Sequence, residues 1–180
     1  MNRCYWCNLK NQKYVDYHDN EWCVLNMDER YLYEMFILES FQAGLSWECV
    51  LNKREAFLKA YDNFDIDKVI EYDDVKIEEL MNNKDIIRNR LKIQASINNS
   101  KIYMNIVNEF GSFFNYLSHF SGGRIFYEIG KTTSVLSDKI SFDLKSRGMK
   151  FVGSTIIYSY LCAVGIIYAH EETCFLYKKR

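Results

Sequence analysis

From Asp28 to about Ala43 the apolar residues Leu32, Met35, Phe36 and Leu38 follow a helical period, and Gly44 stands where a left-handed residue would end the helix. Ser46 can cap the next helix, which carries Trp47, Val50, Leu51, Leu58 and Tyr61 at spacings of mostly three and four. Asp65 and Asp73 read as starts of shorter helices, and Ile77, Leu80 and Met81 continue the pattern. A longer helical segment runs from about Ile87 to Phe110. Ser112 then opens a short helix through Leu117, which Gly122-Gly123 breaks. Ser137 or Asp138 is placed to cap a helix ending before Gly148, and Ser154 to cap one carrying Ile157, Tyr158, Leu161 and Cys162. Only Ile125 to Ile129 reads as a strand. The pattern predicts an all-α fold of short helices joined by tight turns. No repeat or Ser/Gly-rich linker divides the chain, so one continuous unit is expected.

Composition sharpens this picture. At 180 residues and 48% hydrophobic, with 16% aromatic and 26% charged, the chain can bury a core without disulfides. Surface scaling predicts about 9,000 Å² exposed after folding, against about 31,000 Å² unfolded. The charges, 23 basic and 24 acidic, give a net of -1, so a polyanion must meet a local basic patch rather than a global field. Met1-Asn2-Arg3-Cys4-Tyr5-Trp6 has no signal-peptide core, and the apolar runs fall short of the roughly 20 residues that span a bilayer. The expectation is a soluble, cytoplasmic monomer with no membrane partner. In that setting the six cysteines read as thiols or metal ligands.

Four constellations carry candidate chemistry. Glu39 lies seven residues after Leu32, four after Met35 and three after Phe36, on the stripe that faces the core. An inward carboxylate needs either a structural partner, such as turn amides or a buried Arg, or a cationic or donor-rich ligand. Trp47 opens the helix one tight turn later. Trp6 and Trp22, with Tyr5, Tyr14 and Tyr17, concentrate flat π-faces in the same quarter of the chain, which fits either a planar cationic ligand or ordinary core packing. Cys4 and His18 near one end face His170 and Cys174 near the other. The last two are spaced i, i+4 and, if helical, share a face. The set makes a closed Cys2His2 zinc site, with Cys7 as a competing ligand and buried thiols as the alternative. Finally, Ile86-Ile87-Arg88-Asn89-Arg90-Leu91-Lys92 reads as a basic hairpin whose amides and side chains can hold a phosphate, or as a solvated helix end. Lys145, Arg147 and Lys150 form a second basic cluster around Gly148.

Taken together, Tyr17-His18-Asp19-Asn20-Glu21-Trp22, Leu38-Glu39, Gln42-Ala43-Gly44-Leu45-Ser46-Trp47, Ile86-Ile87-Arg88-Asn89-Arg90 and Lys150-Phe151-Val152-Gly153 resemble the constitutive DNA-3-methyladenine glycosylase I family. The resemblance covers Arg3 to Trp47, the hairpin, and Arg147 to Cys174; residues 100–135 carry no matching motif. It implies a helix-hairpin-helix DNA glycosylase acting on alkylated double-stranded DNA, with 3-methyladenine as product. It also implies Glu39 as the catalytic-site carboxylate that recognises the flipped base, Trp47, Tyr14 and Tyr17 around it, and Trp6 and Trp22 nearby. The hairpin residues Arg88, Asn89, Arg90 and Lys92 would contact DNA, and Cys4, His18, His170 and Cys174 would hold a structural Zn2+, leaving Cys7 outside. In this reading residues of about 1–25 and 150–180 form a zinc-clipped lobe, and 26–149 a helical lobe with the hairpin at about 84–92. Two departures stand out. Cys23 occupies a position where the family usually has Gly, and so does Asp85. Aspartate tolerates a left-handed backbone only moderately and adds a charge that repels phosphate. A non-cleaving DNA-binding module of the same fold and a zinc protein-interaction domain are the alternatives.

Overall fold

The segment around Met35 folds as α2 (Glu29–Gln42), whose N-cap Asp28 accepts the Tyr31 N–H. It forms the centre of the molecule, and every residue from Leu32 to Phe41 is buried. Glu39 therefore does not sit on one apolar stripe of an amphipathic helix. It sits in a helix buried on all sides, and its inward position follows from that location rather than from the period alone. The computed structural model describes residues 1–179, with 9237 Å² of accessible surface, close to the value expected for a chain of this size.

Around α2 pack α3 (Trp47–Leu51), α7 (Arg90–Phe110), α8 (Phe113–Ser121) and α10 (Ser154–Ala163). α1 (Gln12–Asn20), which the apolar pattern did not reveal, runs beside α3 and buries Tyr14, Tyr17 and His18. The helix expected from Ser46 to Tyr61 is broken in two. The Lys53 N–H bonds the carbonyl three residues back, on Val50, which tightens the end of α3, and α4 (Arg54–Ala60) starts afresh. A left-handed run at Asp62, Asn63 and Phe64 leads to the short α5 (Ile66–Val69) and then to α6 (Asp74–Asn82), capped by Asp73 as expected. The long helix α7 starts at Arg90 rather than Ile87, because Asn89 accepts the Lys92 N–H as its cap. α8 is capped by Ser112 and extends beyond Leu117 to Ser121, where left-handed Gly122 ends it.

α9 (Val135–Ser146) is capped not by Ser137 or Asp138 but by Ser134. Ser137 is the third residue in, and its hydroxyl bonds back to the Ser134 N–H. Ser154 is likewise the first turn of α10 rather than its cap, which is Gly153. The stretch read as a strand contains β1 (Phe126–Tyr127), which pairs in parallel with β2 (Ile167–Tyr168). That pairing brings the chain after α8 alongside the chain after α10. The turn before β2 contains Gly165, at φ +78°, where an added Cβ would lie 2.2 Å from the Leu25 backbone nitrogen. The close approach lets the loop after α1 bond along the end of α10, Cys23 N–H to the Cys162 carbonyl and Asn26 N–H to that of Val164. The N- and C-terminal segments are also joined directly, Phe175 N–H donating to the Asn2 carbonyl at 2.8 Å.

Candidate functional site

A cleft of about 350 Å³ opens between the N-terminal segment, the end of α2 and the start of α3 on one side, and the 130–132 loop, α10 and the C-terminal segment on the other. α1 places Tyr14 and Tyr17 into it, three residues apart and so on one helix face. α2 contributes Glu39 and Gln42 by the same spacing. Gly44, at φ +78°, turns the chain after α2, and Ser46 caps α3 by accepting the Cys49 N–H, so Trp47 emerges at the first position of α3. Its indole packs against Tyr17 at 5.3 Å, while Trp6 meets Trp22 edge-on at 4.7 Å and Tyr14 at 5.2 Å. Opposite stand Thr155, Tyr158, Ser159 and Cys162 with exposed Lys131 and half-buried Glu171, and exposed Tyr5 lies at the N-terminal rim.

Glu39 is 3% exposed, and neither of its carboxylate oxygens bonds another described residue. Burial alone pushes its carboxyl well above the ordinary range. Burial also raises the phenols of Tyr14, to about 12, and of Tyr17, next to Glu39, well above ten, so both keep their protons at neutral pH. Six buried side-chain polar atoms lack a partner among the described residues. Four of them line this cleft: Glu39 Oε2, Gln42 Oε1, Trp47 Nε1 and Tyr158 OH. Interior polar atoms are normally paired, so their concentration in one aromatic-walled cavity marks a place built for a polar, flat ligand. A positive charge on that ligand would gain from both the π-faces and the carboxylate.

Behind Trp6 and Trp22 lies the second constellation. One ligand atom each from Cys4, His18, His170 and Cys174 gathers within 4.8 Å, all four residues buried. The sulfur–nitrogen separations are 3.6 Å for Cys4 to His170 Nδ1, 3.5 Å for Cys174 to His170 Nδ1 and 3.5 Å for Cys174 to His18 Nε2. The corresponding edge of a tetrahedron with metal–sulfur bonds of about 2.3 Å and metal–nitrogen bonds of about 2.05 Å is about 3.5 Å, so the cluster has the dimensions to hold a metal ion. His18 Nδ1 lies 2.7 Å from Asp19, which Arg3 grips through two nitrogens, an arrangement that fixes which imidazole nitrogen faces the cluster. Burial pushes the Cys4 thiol up to about 12 and His170 down to about 4. His170 and Cys174 do not share a helix face. They are brought together by a turn in which Cys174 N–H bonds the Glu171 carbonyl. Cys7 lies outside the cluster, its thiol directed at the Tyr14 carbonyl.

The turn between α6 and α7 presents Arg88 to solvent, while Arg90 pairs with Glu78 at 2.7 Å. Lys92 is not part of this exposed set. Only 7% exposed, it donates to the carbonyls of Phe41 and Ala43 at 2.8 and 2.6 Å, because α7 carries it inward to the open C-terminal end of α2. Asp85 adopts no left-handed backbone, and its carbonyl accepts from Lys53 Nζ. Cys23 does, at φ +64°, which accounts for the glycine expected there. Of the four cleft residues with an unpartnered buried atom, two were not among the candidate site residues of the sequence, Gln42 and Tyr158. Gln42 opens the stretch that leads to Trp47, three residues after Glu39, and that spacing was the available signal. Tyr158 is hidden in the apolar pattern of α10.

The chain from residue 6 to 177 matches the family model described as methyladenine glycosylase. It is 40% identical over 184 aligned positions to the DNA-3-methyladenine glycosylase 1 of Escherichia coli, covering 98% of this chain and 97% of that protein. With the DNA-3-methyladenine glycosylase of Haemophilus influenzae it shares 33% identity, covering 96% of each. Its backbone superposes on the 3-methyladenine DNA glycosylase I of Staphylococcus aureus with a TM-score of 0.92 at 32% identity, covering 100% of this chain and 98% of the other. By full-length sequence and by fold, this chain belongs to the methyladenine glycosylase family.

Proposed function

We propose that this protein is a monofunctional DNA glycosylase that hydrolyses the N-glycosidic bond of 3-methyladenine in alkylated duplex DNA, releasing the free base and leaving an abasic site. The observation that carries this reading is Glu39, a buried carboxyl without a partner in an aromatic cleft. Methylation at N3 makes the base a cation before any catalysis. Water adds at C1′, the C–N bond breaks with its electron pair going to the base, 3-methyladenine departs neutral, and the proton of the water is lost. So good a leaving group needs no strong general acid, and selective binding can supply most of the effect. The damaged nucleotide first leaves the stack, at a cost of a few kcal/mol. Trp47, Tyr14 and Tyr17 then take its faces and edges, with Trp6 and Trp22 as the outer wall, and Glu39, giving up its proton to solvent as the cation enters, offsets the cation's lost solvation.

Arg88, Asn89 and Arg90 with the first amides of α7 are assigned to the phosphates flanking the lesion; Lys92 holds the cleft instead. Cys4, His18, His170 and Cys174 are assigned to a structural Zn2+, which as a full four-ligand site supplies a cross-link and no open position for water. The chain would act as one unit. Segments 1–25 and 150–180 form the lobe that carries the clip, and 26–149 the lobe that carries Glu39 and the hairpin. Because every wall of the cleft comes from one chain, a monomer suffices. Among the described residues no helix is long and apolar enough to cross a membrane, and a DNA substrate implies action inside the cell. Release of free 3-methyladenine from alkylated duplex by the wild type, and its loss in Glu39→Ala with the chain still folded and its metal content unchanged, is the expected result. Binding of alkylated DNA without release would replace this reading by a non-cleaving module.

A further inference from the structure

Two buried thiols outside the Cys/His cluster meet behind the wall of the cleft. Cys162, near the end of α10, lines the cleft itself, and Cys23 follows Trp22, which lines it from the other side. Their backbones are joined by the bond from the Cys23 N–H to the Cys162 carbonyl at 2.9 Å. Neighbouring chains linked in this way run with Cα atoms about 5.5 Å apart, inside the roughly 4.4–6.8 Å that a disulfide spans. The side chains also face each other, since the Cys162 thiol is hydrogen-bonded to that of Cys23, and both thiols are free. A sulfur at position 23 runs against its own backbone, because φ +64° favours glycine and the turn itself needs no cysteine. The Cys23 Sγ accepts the Ala169 N–H at 3.2 Å, directly before the cluster residue His170.

We propose that Cys23 and Cys162 are an oxidative modification site, a dithiol that a hydroperoxide converts to a disulfide, tying the two walls of the cleft together and weakening base binding. Cys162 meets the oxidant, because it lines the cleft. Its sulfur attacks the peroxide, the O–O bond breaks, the thiol proton leaves with the departing oxygen as an alcohol or water, and Cys162 becomes a sulfenic acid. The Cys23 sulfur then forms the S–S bond, the sulfenic S–O bond breaks, and the Cys23 proton departs with that oxygen as water. Two electrons pass from the sulfur pair to the peroxide. Burial, and then the Cys23 contact, hold the Cys162 thiol well above its ordinary range, so thiolate is scarce and the pair answers to sustained exposure. Closing the bond takes the Cys23 Sγ from the Ala169 amide and shifts Trp22 relative to Cys162 and Ala169, all three of which line the cleft. The cross-link stands apart from the glycosylase reading, and only its effect on the base rests on that reading.

The purified protein is treated with hydrogen peroxide, with and without saturating 3-methyladenine, and digested unreduced for peptide mapping. The expected product is a Cys23–Cys162 bond, formed more slowly when bound base covers Cys162. Diamide, which joins paired thiols without transferring oxygen, should weaken 3-methyladenine binding by about five-fold or more in tryptophan fluorescence, and dithiothreitol should restore it. Cys23→Gly, which suits the left-handed backbone and removes the second thiol, should bind the base as the reduced wild type does and keep that affinity in diamide. A map without the Cys23–Cys162 peptide, a cross-link between Cys4 and Cys174 in its place, a cross-link that leaves affinity unchanged, or an equal loss in Cys23→Gly would each overturn the proposal. If Cys23→Gly fails to fold, Cys23→Ser carries the same comparison. Reduced wild type that neither binds nor releases 3-methyladenine sinks the glycosylase reading and the expected effect on the base, while the peptide map still decides the cross-link.

Discussion

Replacing Glu39 by glutamine keeps the side chain's size and removes its proton equilibrium, so it isolates what burial of this group costs the fold. The folded-state carboxyl is raised above its unfolded value, so the native protein keeps a proton that the unfolded chain has already released. Wild-type stability should therefore decline as pH rises from about 5 toward that raised value. Glu39→Gln should escape the decline, melting higher than wild type by a margin that widens as pH rises above the unfolded-state value, while base release is lost. A margin independent of pH would contradict the assignment. At Gly165 the backbone demands the opposite restraint. An alanine there meets both the φ of +78° and a Leu25 nitrogen at 2.2 Å, and should cost at least about 3 kcal/mol in chemical denaturation. At this scale the sequence was readable where a residue broke its local pattern. Glu39 did so by sitting among apolar neighbours, and Trp47 by following a tight turn. Lys92 was unreadable because its sequence neighbours Arg88 and Arg90 are exposed, whereas its own environment is made by the distant carbonyls of Phe41 and Ala43.

The element that shapes the cleft is the C-terminal end of α2, where helix carbonyls left without intrahelical partners meet an ammonium arriving from α7. Lys92→Met should lower stability by about 1–3 kcal/mol and weaken base binding, since the turn leading to Trp47 loses its anchor, yet leave the salt dependence of DNA binding unchanged. Arg88→Ala should do the reverse. It should leave the melting temperature nearly constant and reduce the slope of log affinity against log salt by about 0.9 for each phosphate that is no longer neutralised. The same variants measured against undamaged duplex separate the two roles. Most helix starts were legible from capping chemistry, as at Asp28, Ser46, Asp73 and Ser112, whose side chains accept the expected amides. α1 was not, because it buries only Tyr14, Tyr17 and His18 in an otherwise polar segment. The cap of α9 was displaced to Ser134 because two serines three apart satisfy each other, and sequence alone does not say which of them comes first.

Across the whole molecule, the cleft wall and the Cys/His cluster share a seam. Trp22 packs edge-on against His170 at 4.7 Å and over His18 at 6.1 Å, and Trp6 lies 5.3 Å from His18. If the proposed Zn2+ occupies the cluster, its removal with a chelator should therefore lower the melting temperature, shift tryptophan emission and weaken 3-methyladenine binding. By reciprocity, saturating 3-methyladenine should raise the equilibrium affinity for that metal by the same factor. Chelation that leaves base affinity untouched would show the seam to be mechanically silent. This juxtaposition was only half legible. Ligand types at opposite ends suggested a clip, but the return of the chain through β1 and β2 and the turn at Glu171 depends on long-range pairing that no local pattern encodes. One contact at the rim, from the Tyr5 backbone to the Glu171 side chain, spans 166 positions. On a ribosome adding roughly 5–20 residues per second, the first wall of the cleft then waits about ten to thirty seconds for the last. Throughout that interval Cys4 and His18 lack His170 and Cys174, so the Cys4 thiol of the newly made protein is itself open to alkylation and oxidation until the final turn is in place.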